Sequence, residues 1–560
     1  MAWYDEAVFY HVYPLGLTGA PKQNDYGEPV HRLNTLLPWI PEVKNAGFTA
    51  LYIGPLFQSV GHGYETTDYK LLDSRLGTNE DLRNFVAACH REGLRVIFDG
   101  VFNHTGRDFF AFKDIQAHRE ASAYRDWYCN VNFWGNNEYN DGFSYDNWGG
   151  FNLLAKLNQR NPAVRDYICD VIRFWVREFD VDGIRLDAAD VLDFEFMKAL
   201  RRTADEVKPD FWLMGEVIHG DYSRWANEHT LHSVTNYALH KALYSGHNDH
   251  NYFEIAHTVQ RTMGLVPAHI KLYNFVDNHD VERIHTKLMN KAHFLPVHIL
   301  LYTLPGIPSV YYGSEFGIDG RKERYSDDSL RPALDLGARH EDYRNNPYTR
   351  LITALGRIHR ERKDDLVWGD YRQLHLTTQQ YAFGRGKLIV AVNNSDGEGW
   401  FNVAAEAPAY VGLLTGKRIE NGGGRLSFSL PGCSGEIFAP GDGAAKPEAP
   451  VLEAIPVPEK PKAEPEAPKT KPETPKAAAP AKKAEVKAPA AIQPEAPKAE
   501  PHPEDAEIPD IPYELMTVEQ LQGVILRKMA KNGPVTERMR RDVLENIWHN
   551  SLINWANSFR

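Results

Sequence analysis

Acidic residues stand at or just after the ends of four apolar segments of the chain. Asp99 opens Asp-Gly-Val-Phe-Asn-His, Asp187 ends Gly-Ile-Arg-Leu-Asp, Glu216 follows Leu-Met-Gly, and Asp280 closes Phe-Val-Asp-Asn-His-Asp. Two carboxyl groups about 5–5.5 Å apart can cleave a glycosidic bond with retention, because one attacks the anomeric carbon while the other protonates the leaving oxygen and then activates water. One such acid alone is typical of a turn after a strand. Four in succession predict a catalytic site.

The first 340 or so residues alternate strand-like apolar runs with amphipathic helical stretches. Several of the runs are continuously apolar, as parallel strands buried on both faces are. Eight of them predict a closed (β/α)₈ TIM barrel, an α/β fold whose catalytic residues lie at the C-terminal ends of the strands. The predicted strands are Phe9–Gly16, Ala50–Phe57, Leu94–Asn103, Val181–Asp187, Phe211–Val217, Ser233–Tyr237, Leu272–Asp277 and Ser309–Gly313.

The gap between the third and fourth predicted strands is unusually long. It is rich in aromatic residues, Asn and Gly, and a loop of this length usually has a structure and a function of its own. We therefore predict that residues 105–158 form an inserted subdomain on one wall of the cleft. The barrel then comprises residues 1–104 and 159–364.

The C-terminal part of the chain changes character twice. Short β-rich runs between 365 and 440 predict an antiparallel β-sandwich. Residues 441–512 are mostly Ala, Pro, Lys and Glu, a composition that predicts a disordered linker. Residues 513–560 regain helical spacing and predict a helical hairpin. Because two helices make a poor free-standing core, we expect this hairpin to form a homodimer, dock on the barrel or bind a protein partner.

Composition argues against several classes of protein. The formal net charge is −12, which disfavours binding to nucleic acid or to an anionic membrane surface. The four cysteines are far apart and form no CxxC pair, so a zinc site is not expected. No signal peptide or transmembrane stretch is visible. These features favour a cytoplasmic enzyme.

The four acidic motifs together resemble those of glycoside hydrolase family 13, the α-amylase family. They read DGVFNH (99–104), GIRLDAAD (183–190), GEVI (215–218) and FVDNHD (275–280). The resemblance implies Asp187 as nucleophile, Glu216 as acid/base and Asp280 as transition-state stabiliser. It also implies that Arg185 holds the nucleophile ionised and oriented, since an opposite charge lowers a carboxyl pKa.

The same resemblance assigns the substrate-binding residues. His104 and His279 match histidines that hydrogen-bond the sugar in subsite −1. Tyr64, in His-Gly-Tyr-Glu-Thr-Thr-Asp-Tyr (62–69), matches a tyrosine that stacks on that sugar, although Glu65 stands where the family usually has Asp. Asp99 is expected to support the residues that contact the sugar without contacting the sugar itself.

Other motifs bear on the subgroup. Leu-Ala-Lys-Leu-Asn (154–158) resembles the form seen in neopullulanase, cyclomaltodextrinase and maltogenic amylase. Lys156 replaces an aspartate that helps most α-amylases bind a structural calcium, and an ammonium group cannot ligate a cation. We therefore expect no cofactor and no calcium at Asn103. Ala188, a small residue after the nucleophile, favours α-1,4 bonds.

Two features separate this sequence from typical cyclomaltodextrinases. The first predicted strand begins almost at once, at Phe9, so we expect this sequence to lack the extra N-terminal β-domain of that subgroup. The FVDNHD form is closer to that of α-amylases. The predicted activity is hydrolysis of α-1,4 bonds in an α-glucan oligosaccharide such as a maltodextrin or cyclodextrin.

Two alternatives stay open at this point. A family transglycosylase or isomerase would use the same catalytic residues and pass the covalent intermediate to a sugar acceptor. A non-catalytic barrel kept as a binding subunit would have lost catalytic carboxylates, and all three are present.

Overall fold

The computed structural model describes residues 2–324, 326–441, 518–532 and 543. The strands within these ranges are β1 (Phe9–Val12), β2 (Ala50–Ile53), β3 (Phe57–Ser59), β4 (Thr66–Leu72), β5 (Arg95–Gly100), β6 (His104–Thr105), β7 (Asn147–Trp148), β8 (Phe151–Lys156), β9 (Gly183–Leu186), β10 (Trp212–Gly215), β11 (Ser233–Val234), β12 (Tyr273–Phe275), β13 (Ile307–Tyr311), β14 (Tyr371–Leu376), β15 (Gln380–Arg385), β16 (Leu388–Asn393), β17 (Gly399–Ala404), β18 (Ala409–Gly412), β19 (Arg418–Glu420), β20 (Arg425–Leu430) and β21 (Ser434–Pro440).

Helices follow most of the barrel strands. They are α1 (Pro14–Leu17), α2 (Ile40–Asn45), α3 (Asn79–Arg91), α4 (Phe110–His118), α5 (Pro162–Phe179), α6 (Phe194–Val207), α7 (Tyr237–Asn248), α8 (Tyr252–Leu265), α9 (Ile284–Lys287), α10 (Phe294–Thr303), α11 (His340–Asn345), α12 (Pro347–Glu361), α13 (Lys363–Leu366) and α14 (Val518–Asn532).

Eight parallel strands form the barrel in the order β1, β2, β5, β9, β10, β11, β12 and β13. β1 pairs with both β2 and β13. β11 and β12 meet through a single parallel bridge between Thr235 and Tyr273. This arrangement confirms the predicted TIM barrel, and each predicted strand contains or overlaps an observed one.

Local sequence explains where the barrel helices begin and end. The Asn161 side chain accepts from the Ala163 amide, and Pro162 occupies the first turn of α5, where its missing N–H costs no hydrogen bond. Asp180, in the left-handed conformation, ends that helix. The buried residues of α5 recur at helical spacing, and Trp175 among them packs edge-on against Phe98 of β5, so one face of the helix covers the sheet.

The barrel interior is filled by large side chains. Phe9, Tyr52, Trp212 and Tyr273 belong to one buried cluster inside the sheet, and the ring of Trp3 packs edge-on against Trp212. The strands therefore surround a packed core rather than a pore, which keeps the strand ends rigid where the site lies.

An antiparallel sheet lies in the long connection after β5. It has the order β6-β8-β7, with His104 paired to Lys156 and Trp148 to Phe151. The predicted inserted subdomain thus contains a sheet joined directly to the end of a barrel strand. A second hairpin, β3–β4, carries the turn that contains Tyr64.

The C-terminal part is an antiparallel two-layer structure. A six-stranded sheet in the order β14-β15-β16-β21-β18-β19 and the β17–β20 pair share one apolar core, as the predicted β-sandwich requires. Helix α10 is buried along its whole length, and Ile299 from it approaches Gly435 of β21. The barrel and the sandwich therefore pack together through α10.

The tail is described only in part. Helix α14 lies where the sequence predicts the first tail helix, and Leu521, Ile525 and Met529 on it are buried. The rest of the predicted hairpin, apart from residue 543, and the linker from residue 442 onward lie outside the described residues. In the part of the chain that the structure describes, no helix is long and apolar enough to cross a membrane.

Candidate active site

The acidic residues identified in the sequence meet at the C-terminal edge of the barrel. Asp99 lies in β5, Asp187 directly follows β9, and Glu216 directly follows β10. Asp280 lies on the turn after β12. Gly54, at the end of β2, leaves room for Asp99, since a Cβ on Gly54 would lie 2.3 Å from the Asp99 Cβ.

The Arg185 guanidinium joins three of these carboxylates. Its Nη1 donates to Asp99 Oδ1 and to Asp187 Oδ1, both at 2.9 Å, and its Nη2 lies 2.9 Å from Glu216 Oε2. The Arg185 side chain is only 3% exposed. Burial alone would lower the pKa of Arg185, but the Asp99 and Glu216 carboxylates hold it well above its usual range. The guanidinium is therefore a permanent positive charge between the two carboxylates of interest.

The electrostatics of Asp187 combine opposing effects. Burial, together with the nearby charges of Glu216 and Asp99, raises the pKa of Asp187 well above its usual range, while Arg185 lowers it. Arg185 thus acts in the direction expected from the sequence, but its effect is outweighed. Since Asp187 and Glu216 share one guanidinium, a change in the charge of Glu216 alters the electrostatic field at Asp187.

Glu216 has two further hydrogen-bond donors. The Ala188 amide donates to Glu216 Oε2 at 3.1 Å, and the Tyr237 hydroxyl donates to Oε1 at 3.3 Å. Ala188 has a φ of 44°, a left-handed conformation that costs energy for a residue other than glycine and often occurs at functional sites. Sequence reasoning missed Tyr237, because no motif connects a tyrosine at the start of α7 with a carboxylate after β10.

Asp280, on the turn after β12, is contacted by Arg331 and His279. Arg331 Nη2 donates to Asp280 Oδ1 at 2.8 Å, and His279 Nε2 lies 3.0 Å from Asp280 Oδ2. Burial opposes ionisation, but His279 and Arg331 hold the pKa of Asp280 well below its usual range. Sequence reasoning also missed Arg331, which stands 51 residues beyond Asp280 in a loop without a spacing pattern.

Tyr64 lies over the same group of side chains. Its hydroxyl donates to Asp99 Oδ2 at 3.2 Å and contacts His279 Nε2, and its ring stacks on the His279 ring at 5.7 Å between centroids. Tyr52 also donates to Asp99, at 2.8 Å. Tyr64, His279 and Asp99 therefore form one hydrogen-bonded wall beside the carboxylate pair.

His104 stands in the wall behind Tyr64. Its Nε2 lies 3.2 Å from the Tyr64 carbonyl, and its Nδ1 lies 3.3 Å from the Asn103 side-chain amide. Nδ1 therefore accepts and Nε2 carries the proton. Burial lowers the pKa of His104 to about 3, so the ring is neutral at ordinary pH.

Asn103 and Lys156, where the sequence predicts that the usual calcium is absent, also lie close together. The Asn103 carbonyl accepts from the Leu157 amide at 3.0 Å, and Asn103 Oδ1 faces Gln159 Nε2 at 3.5 Å. Lys156 is paired with His104 across the inserted sheet. Both oxygens of Asn103 thus face amide groups, and the expectation that no calcium binds here stays a prediction.

Comparison with known proteins agrees with this geometry. Residues 33–351 match the family described as α-amylase, catalytic domain. The chain belongs to the α-amylase family. It is therefore a glycoside hydrolase of that family, as the sequence motifs predict.

Relatives within the α-amylase family extend the match beyond the catalytic domain. The chain is 30% identical to neopullulanase 2 of Thermoactinomyces vulgaris, over 78% of each chain. It is 29% identical to a cyclomaltodextrinase of Thermoanaerobacter pseudethanolicus, over 76% of each. Among solved structures, a debranching enzyme of Nostoc punctiforme is 26% identical with a TM-score of 0.67, covering 78% of this chain and 98% of that one.

Proposed function

We propose that this chain hydrolyses α-1,4-glucosidic bonds in maltodextrins or cyclodextrins with retention, by double displacement. The observation that carries the proposal is the Arg185 bridge, which places Asp187 and Glu216 at 2.9 Å from the two ends of one guanidinium. Two carboxyl groups held together in a cleft are what a retaining glycosidase needs.

In the first step, Asp187 attacks the anomeric carbon and Glu216 donates a proton to the leaving oxygen. This step requires a proton on Glu216 and a negative charge on Asp187. The Arg185 guanidinium stabilises the Asp187 carboxylate through the hydrogen bond that Nη1 donates to its Oδ1. In the second step Glu216 takes a proton from water, and the water oxygen displaces Asp187 from the sugar.

Asp280 stabilises the oxocarbenium-like transition state in this proposal. Its pKa, well below the usual range, favours the negatively charged carboxylate. A fixed negative charge beside a developing positive charge lowers the barrier without rearrangement.

Tyr64, His104 and His279 would line the sugar site next to the cleaved bond. Tyr64 supplies an aromatic side chain for the sugar to contact. Only 8% of Tyr64 is exposed, so the sugar would contact the small part of the residue that faces solvent. Asp99 supports this wall through Tyr64, Tyr52 and Arg185. Asn103 and Lys156 would support it from the inserted sheet without a metal ion.

The preference for α-1,4 bonds is supported by Ala188, the small residue after Asp187. The similarity to a cyclomaltodextrinase supports cyclodextrins among the substrates. The solved debranching enzyme is the reason to test α-1,6 bonds beside them. Transfer of the intermediate to a sugar acceptor, as in a transglycosylase or isomerase, uses the same residues and is separated from hydrolysis by its products.

The wider setting is also proposed. Residues 1–104 and 159–364 would be the barrel, 105–158 the inserted subdomain, 365–440 the sandwich, 441–512 a linker, and 513–560 a segment for dimer formation or a protein partner. All four cysteines are free, which supports a cytoplasmic location.

The test is hydrolysis of maltoheptaose, β-cyclodextrin and pullulan side by side, with identification of every product. We expect release of maltose or glucose from the first two. Cleavage of pullulan only at α-1,6 bonds would contradict the proposed bond preference, and longer products at high maltose would show transglycosylation. Asp187→Asn should abolish all of these reactions, and unchanged activity in that variant would contradict the catalytic assignment.

A further inference from the structure

Glu65 lies directly after Tyr64, on the turn between β3 and β4. Its side chain is buried, with the residue 2% exposed. Oε2 accepts from the Gly63 amide at 3.1 Å, and Oε1 accepts from the His62 amide at 3.3 Å. The Glu65 carboxylate therefore reaches back and closes the turn that carries Tyr64.

The His62 ring completes this arrangement. Its Nδ1 accepts from the Tyr64 amide at 3.4 Å, so the proton of the neutral ring is on Nε2. That Nε2 lies 3.1 Å from Glu65 Oε1. The His62 carbonyl in turn accepts from the Tyr13 hydroxyl at 2.5 Å. One carboxylate thus holds two amides and one imidazole around the backbone of Tyr64.

The opposite side of Tyr64 is held as well. His104 Nε2 donates to the Tyr64 carbonyl at 3.2 Å, and Gly106 packs so closely on the Glu65 carbonyl that a Cβ on Gly106 would lie 2.5 Å from it. Both sides of this backbone are thus held where the Tyr64 ring reaches Asp99 and His279.

We propose that Glu65 is a positioning residue, whose contacts with His62 and Gly63 set the Tyr64 ring for the sugar next to the cleaved bond. The inference rests on the proposed function, because the position of Tyr64 matters to catalysis only if a sugar lies against it. The family usually has Asp here, which is one methylene shorter. The longer Glu65 side chain spans both amides and the His62 ring at once.

A purely structural carboxylate would behave differently from a positioning one. If Glu65 only stabilised the fold, its loss would lower activity by the same factor whether or not Tyr64 were present. If Glu65 acts through Tyr64, its loss should matter little once the Tyr64 ring is gone, because residues that act as a unit are non-additive.

The experiment is a double-mutant cycle of Glu65→Ala and Tyr64→Ala, with kcat/KM measured on the α-glucan that the wild type cleaves best. We expect Glu65→Ala to lower kcat/KM about 10- to 100-fold in the wild-type background, since small misplacements of binding groups are costly. In the Tyr64→Ala background we expect a loss of less than about 3-fold. Losses that multiply would overturn the inference. If Glu65→Ala does not fold, Glu65→Gln serves in the same cycle, because its side-chain amide loses one accepted hydrogen bond.

Asp81 offers a matched control. Its carboxylate, also buried, accepts from the Thr78 amide at 2.7 Å and from the Asn34 side-chain amide at 2.6 Å, and lies 2.7 Å from His31 Nδ1. Asp81→Ala should lower the melting temperature, lower kcat/KM less than about 3-fold, and act independently of Tyr64→Ala. If the losses in kcat/KM from Asp81→Ala and Tyr64→Ala multiply in the double variant, the cycle can recognise two residues that act independently.

A crystal structure of Glu65→Gln decides the inference without any activity. We expect the Tyr64 hydroxyl to leave Asp99, and an unmoved Tyr64 would overturn the inference. A wild type that cleaves no α-glucan would contradict the proposed function alone, since the position of Tyr64 in this variant would still be informative.

Discussion

Replacing Arg185 with lysine tests how the carboxylate pair is held. Lysine keeps the positive charge but has one nitrogen, whereas the guanidinium reaches Asp187 through Nη1 and Glu216 through Nη2, each at 2.9 Å. At least one charge-assisted hydrogen bond is therefore lost, which costs about 1.5–3 kcal/mol. If that bond matters in the transition state, kcat/KM falls about 10- to 150-fold, at a factor of ten for about 1.4 kcal/mol.

The pH dependence gives a second readout for the same variant. Arg185 lowers the pKa of Asp187 against the stronger effect of burial, so weakening that contact raises the pKa further. Asp187 then becomes ionised only at higher pH. The acidic limb of kcat/KM against pH, measured on maltoheptaose, should move to higher pH in Arg185→Lys.

Arg385 provides the matched control for this substitution. It is also buried and donates to the Thr303 carbonyl at 2.8 Å, between the barrel and the sandwich. Arg385→Lys should lower the melting temperature without moving the acidic limb. An Arg185→Lys enzyme with kcat/KM within about 3-fold of the wild type and an unmoved acidic limb would refute the reasoning.

Three further predictions concern other parts of the molecule. Arg331→Ala removes the donor to Asp280 Oδ1. It should raise the pKa of Asp280 and lower kcat about 10- to 100-fold in steady-state kinetics. A raised KM with an unchanged kcat would contradict this. Equilibrium dialysis and metal analysis should find no calcium bound at Asn103, and one tightly bound calcium there would contradict the expectation drawn from Lys156. Burial raises the pKa of Glu315 to about 7 from 4.5, so the folded state binds the proton of this acid more tightly than the unfolded state does. This preference stabilises the fold fully below about pH 4.5 and is lost as the pH rises through about 7. It contributes roughly 3 kcal/mol at most. Glu315→Gln should therefore flatten the fall in unfolding free energy between pH 4.5 and 8, and an equally steep fall in that variant would show that another group is responsible.

The barrel was predictable because its signals are repeated and local. Continuous apolar runs identify its strands, and even the shortest, Ser233–Val234, lies within the predicted segment. The carboxylates and Arg185 could be selected from the sequence for the same reason, since each stands in a short motif at a strand end, and their catalytic roles stay a prediction. The predicted eighth strand is displaced by two residues, because Ile307 and Pro308 already pair with β12.

Contacts between distant segments were not predictable from the sequence. Tyr237 reaches Glu216 only because α7 begins beside the end of β10, and Arg331 reaches Asp280 across a loop with no periodic pattern. The sequence showed Glu65 as a small departure from the family pattern, but its hydrogen bonds to His62 and Gly63 depend on the shape of the turn. The net pKa of Asp187 likewise depends on how deeply four carboxylates are buried together.

Labelling of the nucleophile tests the central claim most directly. A fluorinated α-glucosyl fluoride that forms a slowly hydrolysed glycosyl-enzyme would be incubated with the protein, and the labelled peptide identified by mass spectrometry. We predict one sugar bound to the Asp187 carboxylate, because a retaining enzyme passes through that covalent intermediate. A label on another carboxylate, or hydrolysis with inversion and no label, would contradict the account.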